Sequence, residues 1–274
     1  MSDMWNSVAP GWDEGAQFVD EHLAVATEAL LDATGVGAGD AVLDLAAGPG
    51  GAGLAAAERV GPSGSVVLSD AAGEMVAIAA RRASAQPRVS TAVFDQSAIA
   101  AEDGHFDAVI SRHGLMFAED GGGAVREATR VLRPGGRYAA MTWGPRDMNP
   151  WLGLVLDAVG EQFGVPFPPP NVRGPFSLDD APLLASTLKE GGLVDVQTEA
   201  IETPMHAASL EAWWERVPKL AGPLVIALAG MESDVREEIA QRALSAGANA
   251  SRREGDQIVF AGLVLIGSGH APSG

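Results

Sequence analysis

Short apolar runs alternate with longer helix-like stretches through the first half of the chain. The run Ala41–Leu45 leads into a glycine-rich turn at 48–53. Strands of this kind that alternate with helices are typical of βαβ units, in which helices cover a parallel sheet. The pattern predicts further strands at 65–69, 88–94, 105–111 and 137–143, and helices at 54–60, 73–84 and 119–132.

The regular alternation ends after residue 143. Residues 144–174 are rich in proline and predict a lid or connector. A helix is predicted over 177–188, with Ser177 and Asp180 as its capping pair. A half-exposed strand is predicted over 193–201, because apolar and polar residues alternate there.

The last third of the chain adds helices and one more apolar run. Residues 209–247 predict two or three helices, and 257–266 (QIVFAGLVLI) predicts a final buried strand. With this run the chain has seven predicted strands and a helical insertion before the last of them. The sequence therefore predicts an α/β fold, with one sheet and a helical cap.

Composition and charge limit the classes of protein to which this chain can belong and the molecules that it can bind. With 274 residues, of which 47% are apolar, the chain can bury the core of one large domain plus a cap. Its net charge of −18 argues against a nucleic-acid partner, because phosphate binding needs clustered Lys and Arg. Without cysteine there are no disulfides and no thiolate metal sites. Neither a signal-peptide pattern nor an apolar run of about 18 residues occurs, so we expect a cytoplasmic protein without a membrane span.

The most informative segment is 42–51 (VLDLAAGPGG), where the first strand runs into small residues. Glycines let a ligand approach the backbone, and the helix that follows begins with unpaired N–H groups. Dinucleotides fit such a turn, usually with the spacing G-x-G-x-x-G. The spacing here is D-x-A-x-G-x-G, with Ala46 in the first glycine place.

The segment DLAAGPG resembles motif I of class I S-adenosylmethionine-dependent methyltransferases, D/E-x-G-x-G-x-G. Later segments are similar to the following motifs of that family, in order, and the series is more specific than any one of them. WNSVAPGWD and TWGPRDMNPW also resemble its ubiquinone/menaquinone-biosynthesis-like (methyltransferase type 11/25-like) branch. The later motif segments are VLSD at 67–70, FDQ at 94–96, FDAVIS at 106–111 and RVLRPGG at 130–136. Glu74 and Met75, which follow VLSD, are similar to the start of the next helix in the family.

The resemblance implies a Rossmann-like, mostly parallel seven-stranded sheet with helices on both faces, an antiparallel last strand and helical cap or lid insertions. Four regions are then expected along the chain. An N-terminal helical lid is expected over residues 1–35, and an S-adenosylmethionine-binding core over residues 36–143. An acceptor-side lid and helical cap with one core strand is expected over residues 144–256, and a final core strand with a tail over residues 257–274.

The resemblance also implies roles for individual residues at the carboxyl ends of the strands. Gly48 and Gly50 would let the methionine part of the cofactor lie against the backbone, and Asp44 would hold the loop or reach the ammonium group. Asp70 would accept both ribose hydroxyls. The other cofactor-binding candidates are Ala46 in the loop, Met75, Asp95 and Gln96 near adenine, and Ser111 and Arg112 beneath the sulfonium.

Some of these residues have an equally ordinary structural explanation. Asp95 and Gln96 can form a simple turn, and Met75 can pack in the core. We assign Asp107, in the fourth-strand motif, to structure rather than to chemistry.

The acceptor side is predicted from position and residue type. Methyl transfer from a sulfonium gains much of its rate from holding the acceptor in near-attack geometry. His113, two residues beyond the fourth strand, is the candidate for a base or for orienting the acceptor, with an ordinary imidazole pKa near 6.5. A hydrogen-bonded structural histidine is the alternative, and His22 is the second candidate. The first four tryptophans either wall an apolar acceptor pocket or pack a lid on the body: Trp5, Trp12, Trp143 and Trp151.

The predicted function is transfer of a methyl group from S-adenosylmethionine to an O, N or C atom of a small-molecule metabolite. No metal site is predicted, since the acids are scattered and H-E-x-x-H is absent. The expected partner is the acceptor alone, and a homodimer is left open. One rival is an NAD(P)-dependent oxidoreductase, which the missing G-x-G-x-x-G disfavours. The other is a non-catalytic S-adenosylmethionine-binding protein, which nothing in the motif series favours.

Overall fold

Two sheets organise the protein, whose computed structural model describes residues 2–273. Ten strands occur in this range: β1 Ala41–Leu45, β2 Ser65–Asp70, β3 Val89–Val93, β4 Phe106–Arg112, β5 Leu132–Trp143, β6 Val194–Glu202, β7 Met205–Ala207, β8 Arg252–Glu254, β9 Gln257–Phe260 and β10 Leu263–His270. Seven of them form the main sheet in the order β3-β2-β1-β4-β5-β10-β6, and the other three form a small sheet in the order β7-β9-β8.

The first five strands of the main sheet run parallel, and β10 runs antiparallel to both β5 and β6. Val42 of β1 stands opposite Val66 of β2 and Ala108 of β4. A central parallel strand is covered on both faces, which is why β1 is apolar almost throughout. The predicted α/β class, with a mostly parallel seven-stranded sheet and an antiparallel last strand, is confirmed.

Helices cover both faces of the sheet and one end of it. Within residues 2–273 they are α1 Ser2–His22, α2 Ala24–Thr34, α3 Gly51–Val60, α4 Gly73–Arg82, α5 Gly121–Val131, α6 Pro150–Phe163, α7 Ala181–Glu190, α8 Leu210–Leu220, α9 Gly222–Ala229 and α10 Ser233–Ala250. Helix α2 packs on β4, β5 and β10, whereas α1 lies against α4, α8 and α9. Helix α1, which is called the lid helix below, lines the large cavity described in the next subsection, whereas α2 does not. The N-terminal lid expected over residues 1–35 stays a prediction.

Helix α6 occupies the middle of the segment that the sequence predicts as a connector. Pro150 stands at the first turn of this helix, where a missing N–H group costs nothing. The helix then buries Trp151, Leu152, Val155 and Leu156. Its apolar residues are not confined to one stripe, so amphipathic periodicity does not reveal it.

The start of α7 differs from the predicted capping pair. Asp180 caps the helix, because its Oδ1 accepts a hydrogen bond from the N–H group of Leu183 (2.9 Å). Ser177 lies outside the helix, and its Oγ accepts from the N–H group of Gly174 (2.8 Å). The prediction of Ser177 as a cap is wrong because α7 begins at Ala181, beyond its reach.

The single final strand predicted over 257–266 is two strands in two sheets. Strand β9 pairs with β7 and β8, and β10 pairs with β5 and β6. The chain turns between them at Gly262, whose backbone passes so close to Thr203 that a Cβ there would overlap the Thr203 carbonyl oxygen. Only glycine allows this approach, and an apolar run alone does not indicate it.

Two properties bear on function across residues 2–273. No helix in this range is long and apolar enough to cross a membrane. Nor does this range bring three or more His, Asp or Glu side chains together as a metal site.

Candidate active site

The turn between β1 and α3 has a left-handed backbone at three positions. Ala46 has φ +53, Gly48 has φ +53 and Gly50 has φ +85. A Cβ at Gly48 would meet no atom of residues 2–273 outside the turn within 4 Å. Gly48 lines a cavity whose wall also includes Asp70, Arg112 and His113. A Cβ at Gly50 would instead lie 2.8 Å from Leu68 Cδ1. Gly48 therefore faces the space for a ligand, whereas Gly50 lets α3 pack on the sheet.

Asp44 lies beneath this turn and is fully buried. Its Oδ2 accepts a hydrogen bond from the N–H group of Gly53 (2.8 Å), while Oδ1 has no partner among the described residues. Burial raises the pKa of Asp44 to about 7, and the nearby charge of Arg112 partly opposes that rise. Of the two roles predicted for Asp44, the structure places it to hold the loop, since it does not line the cavity.

Asp70 ends β2 and connects the turn to the cavity. Its Oδ2 accepts from the N–H group of Gly48 and its Oδ1 from that of Ala72, both at 2.9 Å. Burial raises the pKa of Asp70, and these N–H donors partly offset the rise. The carboxylate lines the cavity and retains further lone pairs beyond the two used on the backbone.

The residues predicted near adenine lie along the same cavity. Met75 is 2% exposed and packs with Val8 and Ala9 of α1. Asp95 accepts from the N–H group and the hydroxyl of Ser97 (2.9 and 2.6 Å), which is the turn considered as its alternative. Gln96 Nε2 donates to the carbonyl oxygen of Gly114 (3.2 Å). Met75, Asp95 and Gln96 all line the cavity.

The last two residues of β4, Ser111 and Arg112, have different surroundings. The Ser111 side chain is buried outside the cavity wall, and its Oγ has no hydrogen-bond partner in the described range. Arg112 lines the cavity and donates to Asp20 (2.8 Å) and Thr27 (3.1 Å), both from the N-terminal helices. Arg112 thus joins the sheet to the lid helix.

His113 follows with φ +61, and its ring is stacked on that of Trp143, with the centroids 3.9 Å apart. Neither ring nitrogen has a hydrogen-bond partner within residues 2–273. Burial lowers the pKa of His113 well below that of an ordinary histidine, with smaller contributions from Arg112 and His22. The expected value near 6.5 is therefore wrong, because the ring is desolvated. His113 is neutral at neutral pH and lines the cavity.

Aromatic side chains form part of the remaining cavity wall, together with aliphatic residues. His22 stacks on Phe18 and packs edge-on against Trp151, which packs edge-on against Trp143. Burial, followed by the charge of His206, lowers the pKa of His22 to about 4, so this imidazole is also neutral. The four tryptophans expected at the mouth all line the cavity: Trp5, Trp12, Trp143 and Trp151.

Two charged residues of the wall escaped the sequence analysis, Asp20 of α1 and Arg82 of α4. Arg82 has a sequence signal, because it follows Met75 by seven residues and so lies on the same helix face. Asp20 has none, since its position depends on how α1 packs against the other helices. Asp107 lies away from the cavity, where it accepts from the N–H group of Ala41 (2.6 Å) and pairs with Arg133.

Comparison with known proteins places the central part of the chain in a family. Residues 42–136 match the family model of the methyltransferase domain. The ubiquinone/menaquinone biosynthesis C-methyltransferase UbiE of Hahella chejuensis is 35% identical over 130 residues, which cover 46% of this chain and 52% of that protein. An uncharacterized 37.1 kDa protein of transposon TN4556 from Streptomyces fradiae is 38% identical over 128 residues, which cover 47% of this chain and 35% of that protein. The chain thus spans only about a third to about half of these relatives.

Solved structures agree on the fold. The crystal structure of YcgJ from Bacillus subtilis matches with a TM-score of 0.59 and 18% identity, over 93% of this chain and 99% of that one. The motif series, the matched domain and the sheet order lead to the same assignment. Residues 42–136 are a methyltransferase domain of the class I S-adenosylmethionine-dependent type, and S-adenosylmethionine is the cofactor of that domain.

Proposed function

We propose that this protein transfers the methyl group of S-adenosylmethionine to an O, N or C atom of an uncharged, largely apolar small molecule. The observation that carries the proposal is a single cavity with two kinds of wall. Gly48 and Asp70 line one part of it, and the aromatic residues around His113 and Trp151 line another. A cofactor on the first wall would direct its methyl group toward a molecule held by the second.

The residues of the first wall fit the cofactor. The backbone at Gly48 is open to a ligand, since a Cβ there would meet nothing outside the turn within 4 Å among residues 2–273. Asp70 has lone pairs for ribose hydroxyls, and Met75 offers a polarisable surface to adenine. S-adenosylmethionine supplies an activated methyl group, so the protein has to position the acceptor and exclude water.

His113 would orient the acceptor rather than remove a proton from it. A neutral imidazole has one N–H donor and one nitrogen acceptor, and both are available here because neither nitrogen is paired within the described residues. Its strongly lowered pKa makes it a poor base for an acceptor hydroxyl. A fixed, neutral donor and acceptor suits the alignment of a hydroxylated molecule.

The chemistry of the acceptor follows from other polar groups of the wall. The indole nitrogen of Trp151 is buried and has no partner in the range 2–273. An indole N–H only donates, so this group suits an oxygen acceptor on the ligand. The guanidinium groups of the wall, Arg82 and Arg112, meet at Asp20 beside the turn after β1, where Arg82 donates to the Pro49 carbonyl oxygen. An anionic acceptor would therefore lack a free cation on the aromatic wall.

Methyl transfer from radiolabelled S-adenosylmethionine tests this function directly. The acceptors should be matched sets of one ring system that carries a hydroxyl, an ammonium or a carboxylate. We expect transfer to the uncharged hydroxylated members. Binding of NADH in place of S-adenosylmethionine would support the oxidoreductase, and tight cofactor binding without turnover on any acceptor would support a non-catalytic protein. The cytoplasmic location, the absence of a nucleic-acid partner and the homodimer stay predictions.

A further inference from the structure

A charged cluster lies in the cavity wall beside the motif I turn. Asp20 of α1 accepts from Arg112 through Oδ1 (2.8 Å) and from Arg82 through Oδ2 (2.5 Å). Arg82 also donates to the carbonyl oxygen of Pro49 (2.7 Å), within the turn itself. The cluster thus joins the lid helix, the end of β4, the end of α4 and the turn.

The charges of the cluster are not balanced. Two guanidinium groups share one carboxylate, and the side chain of Arg112 is only 10% exposed. The cluster lies over the first turn of α3, since a Cβ on Gly51 would overlap Asp20 Oδ1. A helix N-terminus adds further positive potential there. Asp20, Arg82 and Arg112 therefore carry one net positive charge, which favours binding of an anion. The carboxylate of Asp20 lies next to it and can accept a hydrogen bond from a cation.

The other acidic residues of the cavity wall, Asp70 and Asp95, are expected to bind the adenosine part of the cofactor. Asp70 is the residue expected at the ribose hydroxyls and Asp95 the one expected at adenine, and both line the cavity. Of the Asp, Glu, Lys and Arg side chains described in the wall, this leaves Asp20, Arg82 and Arg112. The cofactor also has a second charged end, an α-amino acid with one ammonium and one carboxylate. The charge pattern of the three residues complements that end.

We propose that Asp20, Arg82 and Arg112 bind the amino-acid end of S-adenosylmethionine. Asp20 pairs with the ammonium group, and the two guanidinium groups pair with the carboxylate. The inference rests on the proposed function for the presence of the cofactor. It has a consequence for the lid, because Asp20 belongs to α1. A ligand with both charges helps to hold α1 over the cavity, whereas a nucleoside without them does not.

Four ligands separate the two charges. S-adenosylhomocysteine has both, its decarboxylated analogue has the ammonium only, its deaminated analogue has the carboxylate only, and 5′-methylthioadenosine has neither. Their dissociation constants should be measured by calorimetry on the wild type, Asp20→Asn and Arg82→Gln. Asp20→Asn should weaken the ammonium-only ligand by about 10-fold or more and should not weaken the carboxylate-only ligand. Arg82→Gln should show the reverse, and neither should change methylthioadenosine binding by more than about twofold.

A matched control is available on the same pair of helices. Asp13 of α1 pairs with Arg81 of α4, one residue from Arg82. Asp13→Asn should leave all four dissociation constants unchanged. Equal weakening of all four ligands by Asp20→Asn, or no change in any of them, overturns the inference. Wild-type protein that binds neither S-adenosylhomocysteine nor methylthioadenosine contradicts the proposed function itself, which keeps the two failures distinct.

Discussion

The imidazole of His113 lies nearly flat against the indole of Trp143, with ring centroids 3.9 Å apart and 19° between the planes. The backbone of His113 is also constrained, because its N–H group donates to the carbonyl oxygen of Met141 (2.9 Å) and its φ is +61. A left-handed conformation at a residue other than glycine costs on the order of 1 kcal/mol or more and persists only where the surroundings enforce it. Strand β5 therefore fixes the plane of the ring that faces the cavity.

Replacement of His113 tests whether this ring orients the acceptor. His113→Ala should lower kcat/KM by about 10- to 100-fold while leaving cofactor affinity unchanged, since the ring contacts the acceptor side. The rate of the wild type should be flat from pH 6.5 upward, because the lowered pKa keeps the imidazole neutral there. Activity should fall only as the pH drops through that lowered pKa. The measurement is steady-state kinetics over a pH series.

The exposed His105, at the opposite end of β4, supplies the control for His113. His105→Ala should change neither the rate nor its pH dependence. A wild-type rate that rises through pH 6.5, together with a loss of kcat by about 100-fold or more in His113→Ala, would instead identify a general base.

Asp70 holds the turn and faces the ligand, so its replacement should act on both. Asp70→Ala should weaken S-adenosylmethionine by roughly 30- to 1000-fold, through loss of charge-assisted hydrogen bonds to the ribose. It also removes the acceptor of the Gly48 N–H group, which should loosen the turn. Asp70→Asn keeps one acceptor oxygen and should be intermediate. Calorimetry provides the test, and an unchanged dissociation constant in Asp70→Ala would remove Asp70 from the cofactor site.

Gly48 and Gly50 should respond differently to the same replacement. Both have a left-handed backbone, so alanine at either position costs about 1–2 kcal/mol in the free energy of unfolding. At Gly50 the new Cβ also meets Leu68, which should add about 1–3 kcal/mol. At Gly48 it enters the cavity, so Gly48→Ala should keep most of its stability and lose cofactor affinity, and Gly48→Val should abolish binding.

Thermal unfolding and calorimetry on both glycine variants separate these outcomes. Normal cofactor affinity in a folded Gly48→Val protein would show that motif I has been misinterpreted. A Gly50→Ala protein as stable as Gly48→Ala would contradict the packing role of Gly50.

Asp44 should make the unliganded protein less stable as the pH rises. An unfolded Asp ionises near pH 3.9, whereas the folded-state pKa of Asp44 is about 7. Between these values the folded protein keeps a proton that the unfolded chain has lost, so this residue's contribution to stability falls from about pH 4 to pH 7. Asp44→Asn has no proton to lose in this range, so it avoids the decrease in the free energy of unfolding. It also keeps an acceptor for the Gly53 N–H group. Denaturant unfolding should find the variant more stable at pH 8 by on the order of 2–4 kcal/mol and similar near pH 4. Asp256→Asn provides a control, because Asp256 is exposed and takes part in no ion pair among the described residues. An Asp44→Asn protein that is less stable than the wild type at pH 8 would contradict the buried charge.

Local pattern was enough to predict the order of the βαβ elements, the turn at Gly48 and the acid at the end of β2. These features depend on near neighbours in the chain: apolar runs of strand length, glycines where φ is positive, and a polar residue where a strand ends. The spacing of the motifs then indicated the family, and the domain match over 42–136 agrees with it.

Only the tertiary structure decided which neighbouring residues face the ligand. Gly48 and Gly50 are equivalent in the motif, yet one faces the cavity and the other faces Leu68. The protonation states of Asp44 and His113 follow from burial, which no local pattern contains. Asp20 meets Arg82 and Arg112 across separations of 62 and 92 residues, because α1 packs against α4 and α3. Contacts of that range arise from the packing of whole elements, so the sequence determined the scaffold and the packing determined the chemistry of the wall.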